Sequence, residues 1–381
     1  HFNQYGAGTG RFSSSDPNLQ NIPSHNNEIR MMFTARPGYT LIGSDFSQQE
    51  PRLLAHYSQD KNMINAYKDG KDLYAMIASK VYHNNYEDNL EFNPITKQIQ
   101  PDGKNRRTSV KSLLLGIMYG MGTGAIAEAL KVSNAEADDI KNSFFREFPN
   151  VENWINETQQ FAKTNGYVVD VWGRRRRLSD IMRDRFEVKS NNKNMDFNPL
   201  LYTSGNNTDN DITRSIEASL YGCKWKKQVD EVKAKAKRLG YTVVDNSGYI
   251  SRASRQCVNA RIQGGAASMS KRAMVRVANN QELKDLGFKL LIAVHDELIG
   301  ECPIEYKERC KELLSQEMLN SALPEVTVPM KCDADDFPSW YYDVYSSEIK
   351  KEYNENGQNF DELCYNHVEM LPEQLKEIIN L

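Results

Sequence analysis

Two periods of apolar residues run along this chain, and the switches between them predict its elements. "GYTLIGSDF" (38–46) is a short, nearly continuous apolar run and predicts a buried strand ending at Asp45. The "SQQE" that follows, Ser47 to Glu50, fits a capping box, so a helix is expected there. "RRTSVKSLLLGIMYG" (106–120) has the length and apolar spacing of a helix, despite Gly116. "SNAEADDIKNSFFREF" opens with a second capping box, Ser133 and Glu136, and its helix should stop before Pro149. A further helix is expected from about 151 to Asn165, with Gly166 as its stop, and "GYVVDVWG" (166–173) reads as a strand.

The pattern changes over 181–248. "KSNNKNMDFN" and "SGNNTDNDIT" are polar and loop-like, and "KKQVDEVKAKAKRLG" is a charged helix, so this stretch reads as an elaboration outside the core. Residues 251–280 form a long helical segment with an interruption expected at Gly264-Gly265. A strand–turn–strand follows at 289–301, with "VHDE" (294–297) at its tip. Residues 1–26 read as loop, and the charged tail after 340 is expected to cap the surface. No internal repeat is visible.

Composition narrows the class. At 381 residues the chain can bury a full core and form two or three subdomains. It is 39% hydrophobic and 26% charged, as in ordinary globular proteins. A net charge of −3 gives no global sign of a nucleic-acid partner, so any such surface must come from clusters such as "KNRR" (104–107) and "RRRR" (174–177). Cys223, Cys257, Cys302, Cys310, Cys332 and Cys364 form no C-x-x-C pair, which argues against a zinc site or a disulfide framework and suits a reducing cytoplasm. No apolar run is long enough to span a bilayer, so no membrane partner is expected. The first residue is His1, not Met, and a piece of a longer or processed protein is expected.

A carboxylate at a turn often serves only local hydrogen bonds, so "VHDE" alone carries little. Paired with a second strand-end carboxylate, Asp45, it gains a chemical reading. Two carboxylates from separate strands can hold two Mg²⁺ ions roughly 3.5–4 Å apart. Mg²⁺ takes a few carboxylates and completes its shell with water and phosphate oxygens, so phosphoryl or nucleotidyl transfer fits. In the 106–120 helix, Arg107, Lys111, Leu115 and Tyr119 are spaced i, i+4, i+8, i+12. Each step turns about 40° past a full turn, so the four lie on one shallow spiral stripe. Its cations could meet a triphosphate and Tyr119 a base. A basic helix start followed by a core-facing Tyr is the alternative.

Six segments then match a known family in order and approximate spacing. "TGRFSSSDPNLQNIP" (9–23), "DFSQQEPR" (45–52), "RTSVKSLLLGIMYG" (107–120), "GRRRR" (173–177), "NARIQGGAA" (259–267) and "VHDE" (294–297) resemble successive motifs of family A DNA polymerases, the bacterial DNA polymerase I type, in phage-like wording. The resemblance covers nearly the whole chain except 181–248 and the tail. It implies an α+β fold: a palm with an antiparallel sheet and a mainly helical fingers subdomain. Residues 1–60 and 251–381 would form the palm, with the tail, and 61–250 the fingers, with the elaboration inserted.

The resemblance also implies roles. Asp45 and Asp296 would bind two Mg²⁺ ions, with Mn²⁺ as a possible substitute. Glu297 would support them, and Lys111 would belong with the catalytic group. Arg107 and Lys111 would hold the incoming triphosphate, Tyr119 would guard the templating position, and Gln48 would lie near the nucleotide. Glu50 would be the steric gate against a ribose 2′-OH. His295 would touch the primer end, and Arg11 and Asn21 would sit along the primer–template. Arg255, Asn259 and Gln263, spaced i, i+4, i+8, would face the minor groove, where acceptors are common to all base pairs. Primer–template DNA and dNTPs are the implied partners. Thumb and exonuclease portions would lie outside this chain, elsewhere in the same protein or on a separate chain, so weak DNA grip and low processivity are expected of it alone. The setting would be the cytoplasm, that of a bacterial host if the protein is phage-encoded.

Several residues depart from the family pattern. Leu115 stands where Phe or Tyr is usual, which implies strong discrimination against dideoxynucleotides. Pro51 follows Glu50 where Leu is usual and restricts the backbone of Glu50. Phe46 replaces Tyr, Ser268 replaces Asp, and Tyr74, in the nucleotide site, replaces His and changes one phosphate contact. Three rival readings remain: a single-subunit RNA polymerase, a duplex-DNA-binding fragment inactive without its thumb, and a metal-dependent nuclease.

Overall fold

The structure is a computed structural model that describes residues 1–337 other than 5, 23–29, 31, 97–99 and 192–207, together with Trp340. The charged tail after 340 lies outside the described residues. The fold is α+β, and the chain forms two compact units. The first comprises His1–Asn156, Val169–Arg175 and Asn259–Leu381; the second comprises Glu157–Val168 and Arg176–Val258. Among the described residues no helix is long and apolar enough to cross a membrane.

The first unit opens with a pair of two-residue strands, β1 (Phe2–Asn3) and β2 (Ser13–Ser14). The strand expected at 38–46 is β3 (Tyr39–Phe46). Helices α1 (Gln49–Ser58), α2 (Lys61–Lys68), α3 (Leu73–Val81), α4 (Pro101–Met118), α5 (Thr123–Leu130), α6 (Asn134–Glu147) and α7 (Pro149–Asn165) follow. A short hairpin, β4 (Tyr167–Val169) and β5 (Arg175–Arg177), is next. Then come β6 (Phe186–Ser190), α8 (Thr208–Tyr221), α9 (Lys226–Arg238), β7 (Tyr241–Asp245) and α10 (Ser247–Asn279). The chain returns through α11 (Gln281–Asp285), β8 (Lys289–Val294), β9 (Glu297–Pro303), α12 (Lys307–Asn320) and β10 (Cys332–Phe337).

Four strands form the sheet that matters for the chemistry, in the order β10-β3-β9-β8, all antiparallel. Helix α12 packs across β10, β3 and β9, burying Leu313, Leu314 and Met318. Elsewhere Leu41, Val294 and Ile299 pack with Trp340. Each such side chain contributes about 1.5–3 kcal/mol through its burial. Asp336 is tied to Lys307 (3.0 Å) and Lys311 (2.9 Å). Burial opposes its charge, but the two ammonium groups win and hold its carboxyl below the usual range.

Several local expectations change. The Ser133–Glu136 capping box forms, with both reciprocal bonds present. The one expected at Ser47–Glu50 does not. Gln48 is the N-cap, in a left-handed conformation (φ 54°) and without a side-chain cap bond, because the Glu50 carboxylate is drawn to Arg11 and Tyr119 instead. Helix α4 starts before 106, with Pro101 in its first turn, where a missing N–H costs nothing. The strand at 166–173 is cut to Tyr167–Val169, because Asp170 Oδ1 accepts from the N–H groups of Trp172 (3.0 Å) and Arg174 (2.9 Å) and turns the chain.

Helix α10 runs without a break through Gly264-Gly265. These glycines serve close approach: a Cβ at 265 would stand 2.9 Å from Tyr57 Oη, and one at 264 would stand 3.2 Å from Arg174 Nη1. Thr208 to Asp211, read as loop-like, lie in α8. The 181–248 stretch has a core of its own, in which Phe186, Ile216, Leu220, Val229 and Tyr241 pack together around the paired strands β6 and β7.

Candidate active site

Asp45 lies one residue from the end of β3. In the sheet register it pairs with Glu297 on β9 and with Asp333 on β10. Directly opposed residues of antiparallel strands share a face, so Asp333, Asp45 and Glu297 form a row of acids across three strands. Gly43, two residues back on the same face, leaves room for the row: a Cβ there would stand 3.3 Å from Glu297 Oε1 and 2.8 Å from Phe337 Cζ.

The fourth acid comes from the turn between β8 and β9. His295 and Asp296 form a two-residue loop, and His295 takes a positive φ of 56°, unusual for a non-glycine residue. The Asp296 carbonyl accepts from the Phe46 N–H at 3.3 Å, which stitches this turn to the end of β3. Residues 251 apart in sequence thus meet at one end of one sheet. The carboxyl of Asp45 is raised above its usual value by burial and then by the charges of Asp296 and Asp333. Burial, and after it Asp45, pushes Glu297 up to about 7. Lys331 pairs with Asp333 at 2.9 Å and Arg30 draws Glu297 the other way, yet Asp45 and Glu297 both stay raised.

A cavity of about 470 Å³ opens in front of it, lined by Asp45, Asp296 and Asp333, by the chain from Phe46 to Pro51, and by Tyr74, Arg107, Lys111, Leu115 and Tyr119. The spiral stripe of α4 faces this cavity along its whole length. Arg107 Nε donates to Asp72 Oδ2 at 2.7 Å, and its guanidinium stands 5.2 Å from the Tyr74 ring centroid. Asp72 is itself fixed, because its Oδ1 caps α3 by accepting from the N–H groups of Tyr74 and Ala75. Lys111 is exposed, and among the described residues it has no carboxylate partner. Burial raises the phenol of Tyr74. Burial, followed by the Glu50 charge, pushes Tyr119 up to about 12.

Glu50 is the hub on the other side of the cavity. Arg11 Nη2 donates to its Oε1 at 2.5 Å, and Tyr119 Oη donates to its Oε2 at 2.9 Å. Gln263 Nε2 donates to Tyr119 Oη at 3.1 Å. Arg11 sits on a loop held by Arg174, whose Nη1 donates to the Thr9 carbonyl at 2.8 Å. Gln48 Oε1 accepts from Tyr67 Oη at 3.1 Å. Arg52 steadies the turn by donating from Nε to the Ser47 carbonyl at 2.9 Å. The departure at Ser268 has a partner of its own: its Oγ donates to Asp170 Oδ2 at 2.6 Å.

The structure therefore gathers Asp45, Asp296, Gln48, Glu50, Tyr74, Arg107, Lys111, Leu115 and Tyr119 around one cavity. Glu297 pairs with Asp45, and Arg11 and Gln263 join through the Glu50 network. His295 is exposed on the turn beside Asp296. Asn21 is exposed at the end of a short helical turn whose Gln20 donates to the Ala293 carbonyl at 3.0 Å. Asn259 carries a buried side-chain oxygen without a hydrogen-bond partner among the described residues. Arg255 lies in the second unit, where its Nη1 donates to Ser251 Oγ at 2.8 Å. Two residues escaped the sequence reading, Asp333 and Asp72. Asp333 is visible only once β10 is in register. Asp72 was marked by its place before the helix in "GKDLYA", a helix-cap signal.

Among the described residues no three His, Cys, Asp or Glu side chains converge as a closed metal cage. A Mg²⁺ ion completed by phosphate oxygens does not need one. Two carboxylates on one cavity, one of them raised by burial and then by its like-charged neighbours, suit divalent cations, and the cationic stripe on the same cavity suits a polyphosphate.

Known proteins resemble this chain over most of its length. The sequence profile described as DNA polymerase family A matches residues 1–208 and 208–342. DNA polymerase I of Caldicellulosiruptor bescii is 30% identical over 343 residues, 89% of this chain and 31% of that protein. DNA polymerase I of Geobacillus stearothermophilus is 30% identical over 344 residues, again 89% of this chain and 31% of the relative. The chain thus spans about a third of these relatives. Among solved structures, the POL domain of Pol1 from M. smegmatis in complex with DNA primer-template and dNTP is similar at a TM-score of 0.64 and 27% identity. That match covers 90% of this chain and 47% of the other.

Proposed function

The chain belongs to DNA polymerase family A, and from that premise we propose that it is a template-directed DNA polymerase adding dNTPs to a primer 3′-OH. The observation that carries this reading is the meeting of Asp45 and Asp296 at one sheet end, on the same cavity as Arg107 and Lys111. The structural relative holds primer-template DNA and a dNTP, which supports both as partners here. Residues 1–60 and the described residues from 251 to 337 form the palm, and the described residues of 61–250 the fingers. The free thiols among the described residues suit a cytoplasmic setting.

Asp45 and Asp296 are the residues that would hold two divalent ions, Mg²⁺ or in its place Mn²⁺, with Glu297 behind them. When bound, such a pair supplies Lewis-acid chemistry, lowering the pKa of the 3′-hydroxyl and neutralising charge on the leaving pyrophosphate. The rest falls to side chains. Lys111, without a carboxylate partner among the described residues, presents its ammonium to the triphosphate. Arg107 spends its Nε on Asp72, which leaves its outer N–H groups for phosphate oxygens. The 3′-hydroxyl loses its proton to solvent, its oxygen attacks the α-phosphorus, and the bond to pyrophosphate breaks as the new P–O bond forms. Tyr119, held by Glu50 and Gln263, closes the templating side, and Gln48, fixed by Tyr67, lies near the nucleotide. Arg11, Asn21, Asn259, Gln263, Arg255 and His295 contact the primer–template.

Glu50 stands at the cavity wall with both oxygens engaged, a fixed carboxylate suited to meet a 2′-OH. Glu50→Ala is expected to reduce selectivity for dCTP over CTP by about ten- to a hundredfold, the scale of one pocket contact. Competition kinetics measure it, and an unchanged sugar preference refutes the gate. Leu115 brings no hydroxyl to the cavity. Leu115→Tyr is expected to improve dideoxynucleotide use by about tenfold or more. Equal chain termination in parent and variant would remove Leu115 from sugar selection.

A primer-extension gel in Mg²⁺ tests the whole reading. Lengthening with dNTPs is expected. Lengthening with ribonucleotides alone would favour an RNA polymerase, primer shortening a nuclease, and binding without extension an inactive fragment.

A further inference from the structure

The second unit carries surface chemistry that the polymerase reading does not use. Helix α9 holds six cations and two carboxylates, in a chain whose net charge is −3. Its apolar side, with Val229, Val232 and Ala236, is taken up by the unit's own core. Lys226, Lys227, Lys235, Lys237 and Arg238 are exposed. Among the described residues none of these five has a carboxylate partner, whereas Lys233 has one in Asp245 at 3.4 Å. The cations of the last turn suit the negative end of the helix dipole. Lys226 and Lys227 do not: they stand in the first turn, where the dipole disfavours them, and among the described residues Asp230 and Glu231, at i+4, form no ion pair with them. Helix stability does not account for their presence.

Aromatic rings are interleaved with this charge. Trp225, next to the first turn, is 71% exposed, yet its backbone is pinned. Gln228 Oε1 accepts from the N–H groups of Lys224 (2.8 Å) and Trp225 (3.1 Å). Tyr221 is 56% exposed and rests its ring against Phe186, with centroids 5.6 Å apart. A shallow groove of about 360 Å³ between α8 and α9 is lined by Gly222, Cys223, Gln228, Glu231, Val232 and Lys235, so one carboxylate stands beside its lysine. An indole carried on a pinned backbone and left in water gives up a large burial term that a flat ligand would recover.

We propose that this face of the second unit binds single-stranded DNA, with Lys226, Lys227 and Lys235 on phosphates and Trp225 and Tyr221 stacked on bases. Cations that track a backbone beside aromatic platforms are the chemistry that holds single strands without sequence preference. The choice of DNA rests on the polymerase reading, in which the unpaired template is the available strand. An acidic protein would satisfy the lysines alone.

The test is fluorescence anisotropy of a labelled oligo(dT) strand with the full chain, in EDTA and without dNTP, over a range of salt. The Lys226→Gln/Lys227→Gln/Lys235→Gln variant is expected to bind about tenfold or more weakly and to flatten the log–log salt slope by about two. Trp225→Ala is expected to lose about fivefold to a hundredfold with the salt slope unchanged. Circular dichroism melts of both variants should match the parent, since every substituted side chain is exposed. Single-nucleotide incorporation at saturating primer–template should keep the parent rate in both. Parental strand binding in the lysine variant overturns the proposal. So does loss in the lysine variant with none in Trp225→Ala, which leaves only an unspecific cationic patch. If the parent incorporates no nucleotide but these binding losses hold, the polymerase reading fails and this surface stands.

Discussion

Asp45→Ala is expected to slow dNTP addition by about a thousandfold or more, because several kcal/mol of charge stabilisation at the reacting phosphate leave with one carboxylate. Asp45 is the centre of the acid row: Asp333 and Glu297 flank it in register, and the turn carrying Asp296 is hydrogen-bonded to the residue after it. No neighbour can take over its position without moving a strand. Asp45→Asn should fail almost as completely, since the shape is kept and the charge is lost. Single-turnover incorporation in Mg²⁺ is the measurement, and a rate within about tenfold of the parent would remove Asp45 from the chemistry. The loss will not come from unfolding. The raised pKa of Asp45 means that its ionised form is held less well in the fold than in the unfolded chain, so near neutral pH in EDTA the variant should melt no lower than the parent.

The second large effect is expected on α4. Lys111→Ala should lower kcat by about a hundred- to a thousandfold, the scale of losing one donor aimed at developing charge. Arg107→Ala should divide its effect between kcat and KM, because on the proposed reading Arg107 would serve the bound triphosphate and, through Asp72, it anchors α4 to α3. Asp72→Asn keeps the helix cap but weakens the hold on Arg107, so it should move KM more than kcat. Steady-state kinetics on a fixed primer–template separate the three variants. A Lys111→Ala enzyme with parental kcat would mean that the stripe faces the cavity without serving the reaction.

How far the sequence led depends on how local each signal was. The strand ending at Asp45 and the hairpin at 289–301 were legible because long apolar runs met abrupt polar ends. The Ser133–Glu136 cap was legible because both partners lie within one turn. The same motif at Ser47–Glu50 misled, since Arg11 and Tyr119, remote in sequence, compete for the Glu50 carboxylate. Gly264-Gly265 suggested a break where neighbouring side chains need the space. The polar stretch after 181 hid a small core because its apolar residues are sparse and spread over two strands and two helices. The stripe from Arg107 to Tyr119 was visible as spacing, and the structure adds the cavity that it faces. Asp333 could not be seen at all: an acid in "CDADDF" acquires its place only when β10 is laid beside β3 in register.

The central claim is that Asp45 and Asp296 together hold divalent ions beside the primer end. Electron paramagnetic resonance of Mn²⁺, counted in the complex with primer–template and a non-hydrolysable dNTP, tests it most directly. The account predicts two bound ions in the parent and the loss of at least one in Asp45→Asn and in Asp296→Asn. An unchanged count in both variants would contradict it.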